Sequence, residues 1–251
     1  MNLEHEEILL EEVRDAWGVI RVLEVGDYRF LEFGEAIEQS CTYTRDPAWL
    51  EYDYTRAMLL GALCHEAPEN ALFLGLGGGT LTQACLKFLD LEDVEAIELR
   101  PDVPRLAMQH LGLADDPRLF VRIGDALELL DSAEPTDLLF VDLYTDTGPA
   151  PGHLAWKFLE NCQKRLSPGG WLVINQWGND EGKPLGAALL RGLFHRHYWE
   201  IPVKEGNVIL LVPADLDQQL DLAAVTARAE ALVPRLGYSL QPLLDVLRPA
   251  S

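Results

Sequence analysis

Short apolar segments alternate with helix-forming segments along most of the chain, and this order constrains the fold more than any other feature. Strands that alternate with helices build βαβ units and a parallel sheet. The apolar segments are nearly continuous, as expected for strands buried on both faces. Strands are predicted at 71–74, 94–97, 119–123, 138–141, 171–174 and 208–212, with helices at 81–88, 103–110, 126–130, 153–165 and 185–194.

The N-terminal part has a different pattern. Residues 19–25 are rich in apolar and β-branched side chains, Gly26-Asp27 gives a turn signal, and 28–33 roughly alternate. With a further strand near 36–39, this predicts a small antiparallel β unit, followed by a helix at about 49–65. The tail, about 221–247, is typical of an amphipathic helix broken near Pro234.

A glycine-rich turn follows the strand at 71–74 and opens the next helix. Gly75, Gly77, Gly78 and Gly79 let the backbone approach a ligand closely, and a helix N-terminus favours polar or anionic groups. Thr80 stands where the dinucleotide fingerprint has glycine, and no Gly-Lys-Ser/Thr follows as in a phosphate-binding P-loop. The alternative is a tight strand-to-helix turn without a ligand.

Acidic residues follow three further strands. Glu98 lies about 20 residues beyond the glycines, where a carboxylate accepts hydrogen bonds from ribose hydroxyls. Asp125, followed by Ala126, can accept a hydrogen bond from an adenine amino group or cap the next helix, and both roles can hold. Asp142 ends the fourth strand. Ligands of open α/β sheets bind outside the carboxyl ends of the strands, so four strand ends converge on one predicted nucleoside crevice.

The loop after Asp142 carries candidate substrate-binding residues, Tyr144 and Asp146. A carboxylate near a bound amine can hold its cationic form or take its proton. Asp146 is equally suited to a turn built from Asp, Gly and Pro.

Composition narrows the classes of partner. The 251 residues carry a net charge of −21, which disfavours nucleic acid and anionic membranes and suits cationic ligands. The four cysteines form no CxxC pair and the histidines no ligand spacing, so we expect no metal site. The chain shows neither a membrane-length apolar run nor signal-peptide features, and we therefore expect a cytoplasmic protein.

These motifs resemble those of the spermidine synthase family of polyamine aminopropyltransferases, and the resemblance covers most of the chain. The glycine segment 74–80, Glu98, 124–126 and 142–150 are similar to that family's landmarks, as are residues 35–40 and Pro168-Gly-Gly170 followed by Gln176. The resemblance implies a small β domain (1–65, with its linking helix) before a class I S-adenosylmethionine-methyltransferase-like, Rossmann-like α/β domain (66–251). It also implies a homodimer.

The same resemblance implies residue roles. The donor would be decarboxylated S-adenosylmethionine, with Glu98 on its ribose, Asp125 on its adenine, and Gln39 lining its site. Asp142 would orient or deprotonate an attacking small-molecule amine, with Tyr144, Asp146 and Gln176 around that substrate.

The chain departs from the family pattern at several positions. Gly78 replaces the aspartate that holds the donor's aminopropyl ammonium, Thr145 replaces a second aspartate after Asp142, and Glu35-Ala36 replaces an Asp-Gly pair. Gly78 also suggests room for the carboxylate of intact S-adenosylmethionine. Methyl transfer from S-adenosylmethionine and non-catalytic nucleoside binding therefore stay open beside aminopropyl transfer.

Overall fold

The computed structural model describes residues 6–34 and 37–250. An N-terminal four-stranded antiparallel sheet comprises β1 (Ile8–Asp15), β2 (Gly18–Val25), β3 (Tyr28–Phe33) and β4 (Ile37–Tyr43), in that spatial order. The predicted antiparallel β unit is therefore confirmed, and β1 is a strand that the sequence patterns did not indicate. The Glu35-Ala36 pair lies outside the described residues.

The remaining chain alternates strands and helices around one large sheet. The strands beyond the N-terminal sheet are β5 (Asn70–Leu74), β6 (Asp93–Glu98), β7 (Leu119–Ile123), β8 (Thr136–Val141), β9 (Tyr144–Thr145), β10 (Gly148–Pro149), β11 (Leu166–Trp177), β12 (Trp199–Pro202), β13 (Asn207–Pro213) and β14 (Arg248–Pro249). The large sheet has the strand order β14-β12-β13-β11-β8-β5-β6-β7. The helices are α1 (Asp53–Ala62), α2 (Thr80–Phe88), α3 (Asp102–His110), α4 (Ala126–Leu129), α5 (Trp156–Lys164), α6 (Ala187–Leu193), α7 (Leu222–Leu236) and α8 (Gln241–Leu244), with a 3₁₀ turn at Leu130–Ser132.

The large sheet is mixed rather than fully parallel. Strands β11, β8, β5, β6 and β7 run parallel, which confirms the α/β, Rossmann-like class. In contrast, β13 is antiparallel to β11 and to β12. The reason is the connection: only a short turn joins β12 to β13, and a short turn can join only antiparallel neighbours.

Both faces of the sheet are buried, so consecutive residues of one strand enter different cores. On β5, Phe73 packs in a cluster with α1, α2 and the N-terminal sheet, whereas Leu72 and Leu74 pack in a second cluster with α5 and α6. This explains why the sequence shows continuous apolar runs instead of alternation.

The tail predicted as a helix broken near Pro234 contains two helices, α7 and α8, and the break lies just beyond Pro234. Helix α7 continues through Pro234 and ends at Leu236. The next residue, Gly237, has a left-handed backbone and donates its N–H to the carbonyl of Val233. Glycine at this position is a common helix terminator because it adopts positive φ without strain. Among the described residues, no helix combines the length and apolarity needed to span a bilayer.

Candidate active site

A cavity of about 800 Å³ opens at the carboxyl ends of the parallel strands, below the N-terminal sheet. Most of the predicted site residues line it, because parallel strands end at the same edge of a sheet. The lining includes Gln39, Gly75, Gly77, Glu98, Asp125, Ala126, Asp142, Tyr144 and Asp146, whereas Gly78, Gly79 and Gln176 lie outside it.

Gly75 allows the ends of β5 and β8 to meet. Its φ is 94°, and a Cβ at this position would lie 2.2 Å from the carbonyl oxygen of Asp142. Any side chain would therefore push the glycine turn away from Asp142. The close approach brings the turn and this carboxylate into one cavity wall.

Gly78 faces the N-terminal sheet instead of the cavity. Its N–H donates to Ser40 Oγ at 2.8 Å, and a Cβ here would lie 2.9 Å from Ser40 Cβ and 3.2 Å from Leu111 Cδ1. Gly79 likewise faces Leu113. The expectation that Gly78 leaves room for a ligand carboxylate is therefore wrong, because Ser40 and Leu111 fill that space.

Glu98, the last residue of β6, joins the glycine turn to the following loop. Its Oε2 accepts the N–H of Leu76 at 3.0 Å, and its Oε1 accepts the N–H of Arg100 at 2.9 Å. Burial raises the pKa of Glu98, while these backbone N–H groups favour the charged form. A carboxylate has about four acceptor positions, so the backbone N–H groups of Leu76, Gly77 and Arg100 do not exhaust its capacity.

Asp125 caps α4 and also lines the cavity. Its Oδ1 accepts the N–H of Leu127 at 2.8 Å, as an N-cap side chain does. The neighbouring Ala126 is buried and lines the same wall. The helix-cap role predicted for Asp125 is confirmed, and the same residue lines the cavity.

Asp142 is held by a chain of two asparagines. Asn175 Nδ2 donates to Asp142 Oδ1 at 2.9 Å, and Asn207 Nδ2 donates to Asn175 Oδ1 at 2.8 Å. Burial raises the pKa of Asp142 above its ordinary value, although the hydrogen bond from Asn175 acts in the opposite direction. The network fixes one carboxylate oxygen and leaves the second for a proton or an ammonium group.

On β11, the neighbours of Gln176 line the cavity and Gln176 itself does not. Successive strand residues point to opposite faces, so Asn175 and Trp177 line the cavity while Gln176 points away. Gln176 is fully buried, its Oε1 lies 3.1 Å from His153 Nε2, and its Nε2 donates to the carbonyl of Leu185. The prediction that Gln176 binds the substrate is therefore corrected, because this side chain does not reach the cavity.

The loop after β8 closes one side of the cavity. Tyr144 donates its hydroxyl to the carbonyl of Asn175 at 3.4 Å, and burial raises its pKa. Asp146 is exposed and contacts the turn of the N-terminal sheet, since a Cβ on Gly34 would lie 3.0 Å from Asp146 Cβ. Tyr144 therefore lies against β11, whereas Asp146 stands where the loop meets the N-terminal sheet.

Sequence reasoning missed several lining residues, among them Trp17, Tyr54, Asn175 and Asn207. Burial raises the pKa of Tyr54 well above its ordinary value, and the charges of Asp142 and Glu38 add to the effect. An aromatic residue on a predicted helix is typical of core packing, so the sequence carried no signal for Tyr54. Asn207 begins an antiparallel strand whose neighbours the sequence did not predict.

The cavity is strongly acidic. Its lining includes five carboxylates and, among cationic side chains, Arg100, whose guanidinium is engaged by Asp15. A concave wall of one charge sign concentrates ligands of the opposite sign, so this cavity favours cations. Within residues 6–34 and 37–250, no three His, Cys, Asp or Glu side chains form a group suited to a metal ion. The five carboxylates of the cavity lining are those of Glu38, Glu98, Asp125, Asp142 and Asp146.

Comparison with known sequences gives a family match and a polyamine aminopropyltransferase as a relative. The family model described as spermine/spermidine synthase domain matches residues 52–181. The polyamine aminopropyltransferase of Chromobacterium violaceum is 26% identical over 244 residues, covering 93% of this chain and 91% of that protein.

Solved structures agree on the fold. A spermidine synthase in complex with the transition state analogue AdoDATO superposes with a TM-score of 0.67 at 16% identity, over 91% of this chain and 88% of that one. Human methyltransferase-like protein 13 in complex with SAH superposes with a TM-score of 0.64 at 25% identity, over 74% of this chain and 93% of that one.

Proposed function

The chain belongs to the spermine/spermidine synthase family, and from this premise we propose that it transfers an aminopropyl group from decarboxylated S-adenosylmethionine to a small amine. The single observation that carries the proposal is the acidic cavity in which Glu98, Asp125 and Asp142 share one sheet edge. Both reactants are cationic at neutral pH, and the carboxylates match their charge. The cytoplasmic location and the homodimer stay predictions.

The donor nucleoside would occupy the side of the cavity formed by the ends of β5, β6 and β7. Glu98 would accept hydrogen bonds from the ribose hydroxyls, since it lines the cavity and a carboxylate has about four acceptor positions. Asp125 and Ala126 would contact the adenine, and Gly75, Gly77 and Gln39 would border the rest of the donor.

Asp142 would act on the acceptor. The neutral amine nitrogen attacks the carbon beside the sulfonium, so that a C–N bond forms and the C–S bond breaks. The electron pair of the broken bond goes to sulfur, which becomes the neutral thioether of methylthioadenosine. The new ammonium gives a proton to the free oxygen of Asp142. Since the sulfonium is a good leaving group, alignment of nitrogen and carbon supplies much of the rate.

Glu38 and Asp146 would replace the carboxylates that the chain lacks at Gly78 and Thr145. Both line the cavity, and Tyr52 donates its hydroxyl to Glu38. Loss of hydration raises the pKa of Glu38 above its ordinary value, although the hydrogen bond from Tyr52 acts in the opposite direction. A cationic substrate at this position would stabilise the ionised carboxylate.

Methyl transfer from intact S-adenosylmethionine is the second candidate. It is favoured by the absence of a carboxylate at Gly78 and by the similarity to a human methyltransferase bound to SAH. The packing of Ser40 and Leu111 against Gly78 removes the argument that this glycine leaves room for the methionine carboxylate.

Calorimetric titration separates these candidates. The protein is titrated with decarboxylated S-adenosylmethionine, S-adenosylmethionine and methylthioadenosine under one set of conditions. Aminopropyl transfer predicts tighter binding of the decarboxylated donor than of S-adenosylmethionine. The reverse order would support methyl transfer, and an absence of binding to all three would contradict both. Glu128→Ala, at an exposed position outside the cavity lining, is the control for a Glu98→Ala variant.

A further inference from the structure

Trp17 is a large aromatic side chain in the turn between β1 and β2. It is 48% exposed and lines the cavity. Single exposed apolar residues are common and need no explanation by themselves. The position of this residue, and the way its turn is held, distinguish it from an ordinary surface tryptophan.

A buried ion pair fixes the turn. Arg100 donates to both carboxylate oxygens of Asp15 at 2.8 Å, and the two side chains are only 5% and 8% exposed. Arg100 also donates to the carbonyl of Gly18 at 3.0 Å, and Asp15 accepts the N–H of Trp17 at 2.8 Å. Hydrogen bonds to the Trp17 N–H and to the Gly18 carbonyl thus hold the turn.

The same arginine connects the turn to Glu98, the carboxylate proposed to bind the ribose. The backbone N–H of Arg100 donates to Glu98 Oε1 at 2.9 Å, while its guanidinium holds the turn around Trp17. Trp17 is therefore tied to the Glu98 side of the cavity. The Asp142 side has its own aromatic residues, Tyr144 and Trp177, whose ring centroids lie 6.0 Å apart.

We propose that Trp17 is a donor-binding residue whose indole packs against the nucleoside of the donor. The inference rests on the proposed function, since it requires a nucleoside at Glu98 and Asp125. An indole held on a fixed turn loses little conformational freedom on binding, and its face stacks on a purine or covers a ribose. Removal of an aromatic that stacks on a base weakens binding by about 5- to 150-fold.

Methylthioadenosine is the decisive probe because its sulfur is a neutral thioether. Calorimetric titration compares the unaltered protein with Trp17→Ala, Trp17→Phe and Trp156→Ala. Trp156 is a matched control, since it is 49% exposed and does not line the cavity. We expect Trp17→Ala to weaken methylthioadenosine binding by about 5- to 150-fold, Trp17→Phe to retain most of the affinity, and Trp156→Ala to match the unaltered protein.

A parallel titration with S-adenosylmethionine identifies the part of the donor that Trp17 contacts. Equal losses for both ligands support contact with the nucleoside. A loss for S-adenosylmethionine alone would mean a cation–π contact with the sulfonium and would overturn the proposal. Unchanged methylthioadenosine affinity in Trp17→Ala would overturn it as well, while leaving the proposed function intact. Failure of the unaltered protein to bind any nucleoside would overturn both.

Discussion

Substitution of Asp15 by asparagine removes the charge that neutralises Arg100 and leaves the guanidinium buried. Both oxygens of Asp15 accept from Arg100 at 2.8 Å, and the guanidinium lies 4.3 Å from the centre of the Phe33 ring, away from water. Removing one partner of a buried ion pair destabilises a protein by about 3–5 kcal/mol. That is a large share of the roughly 5–15 kcal/mol by which domains are stable.

Urea unfolding followed by circular dichroism measures the loss. With a slope of about 2–3 kcal/mol per molar urea, the midpoint of Asp15→Asn should fall by about 1–2.5 M. The matched control is Asp27→Asn, because Asp27 pairs with Arg45 at 2.7 Å while their side chains are 48% and 69% exposed. We expect no measurable change in the midpoint of this control.

The pH dependence provides a second test. Burial alone would raise the pKa of Asp15, but the hydrogen bonds from Arg100 and from the Trp17 N–H bring it below its ordinary 3.8. A carboxyl group whose pKa is lower in the folded state stabilises the fold above its unfolded pKa, and this contribution disappears as pH falls through the folded pKa. The difference between the unaltered protein and Asp15→Asn should therefore shrink in acid. A midpoint equal to that of Asp27→Asn at neutral pH would refute the reasoning.

Three further predictions concern the cavity. Asp142→Asn should abolish turnover, measured by chromatography of the products, while methylthioadenosine affinity is retained; unchanged turnover would exclude Asp142 as the base. Glu98→Ala should weaken methylthioadenosine binding by about 10- to 150-fold in calorimetry, since a hydrogen bond to a charged group contributes about 1.5–3 kcal/mol, and an unaltered affinity would exclude the ribose contact. Because the bond from Asn175 lowers the pKa of Asp142, Asn175→Leu should move the acid limb of kcat/KM to higher pH. Asn161→Leu, which loses a similar 2.8 Å bond to Asp131 on the surface, should leave that limb in place, and equal profiles for the two variants would contradict the role of Asn175.

The sequence predicted the convergence of strand ends because this follows from topology. Once strands alternate with helices, Gly75, Glu98 and Asp142 must lie at one edge of a parallel sheet. The cap formed by Asp125 was predictable for the same local reason, as it depends on a bond to Leu127, only two residues away.

The sequence could not determine which β11 residue faces the cavity. The strand is buried on both faces, so its apolar run shows no alternation, and an error of one residue exchanges Asn175 for Gln176. Contacts between distant parts of the chain were equally hidden. Asp15 and Arg100 are 85 residues apart in sequence, and neither belongs to a motif that predicts the other.

Turnover with the decarboxylated donor tests the central claim most directly. The protein is incubated with decarboxylated S-adenosylmethionine and a panel of mono-, di- and triamines, and with S-adenosylmethionine in parallel, and products are analysed by mass spectrometry. Aminopropyl transfer predicts methylthioadenosine and an aminopropylated amine in equal amounts, from the decarboxylated donor only. Methylated acceptor from S-adenosylmethionine, with no product from the decarboxylated donor, would contradict the account.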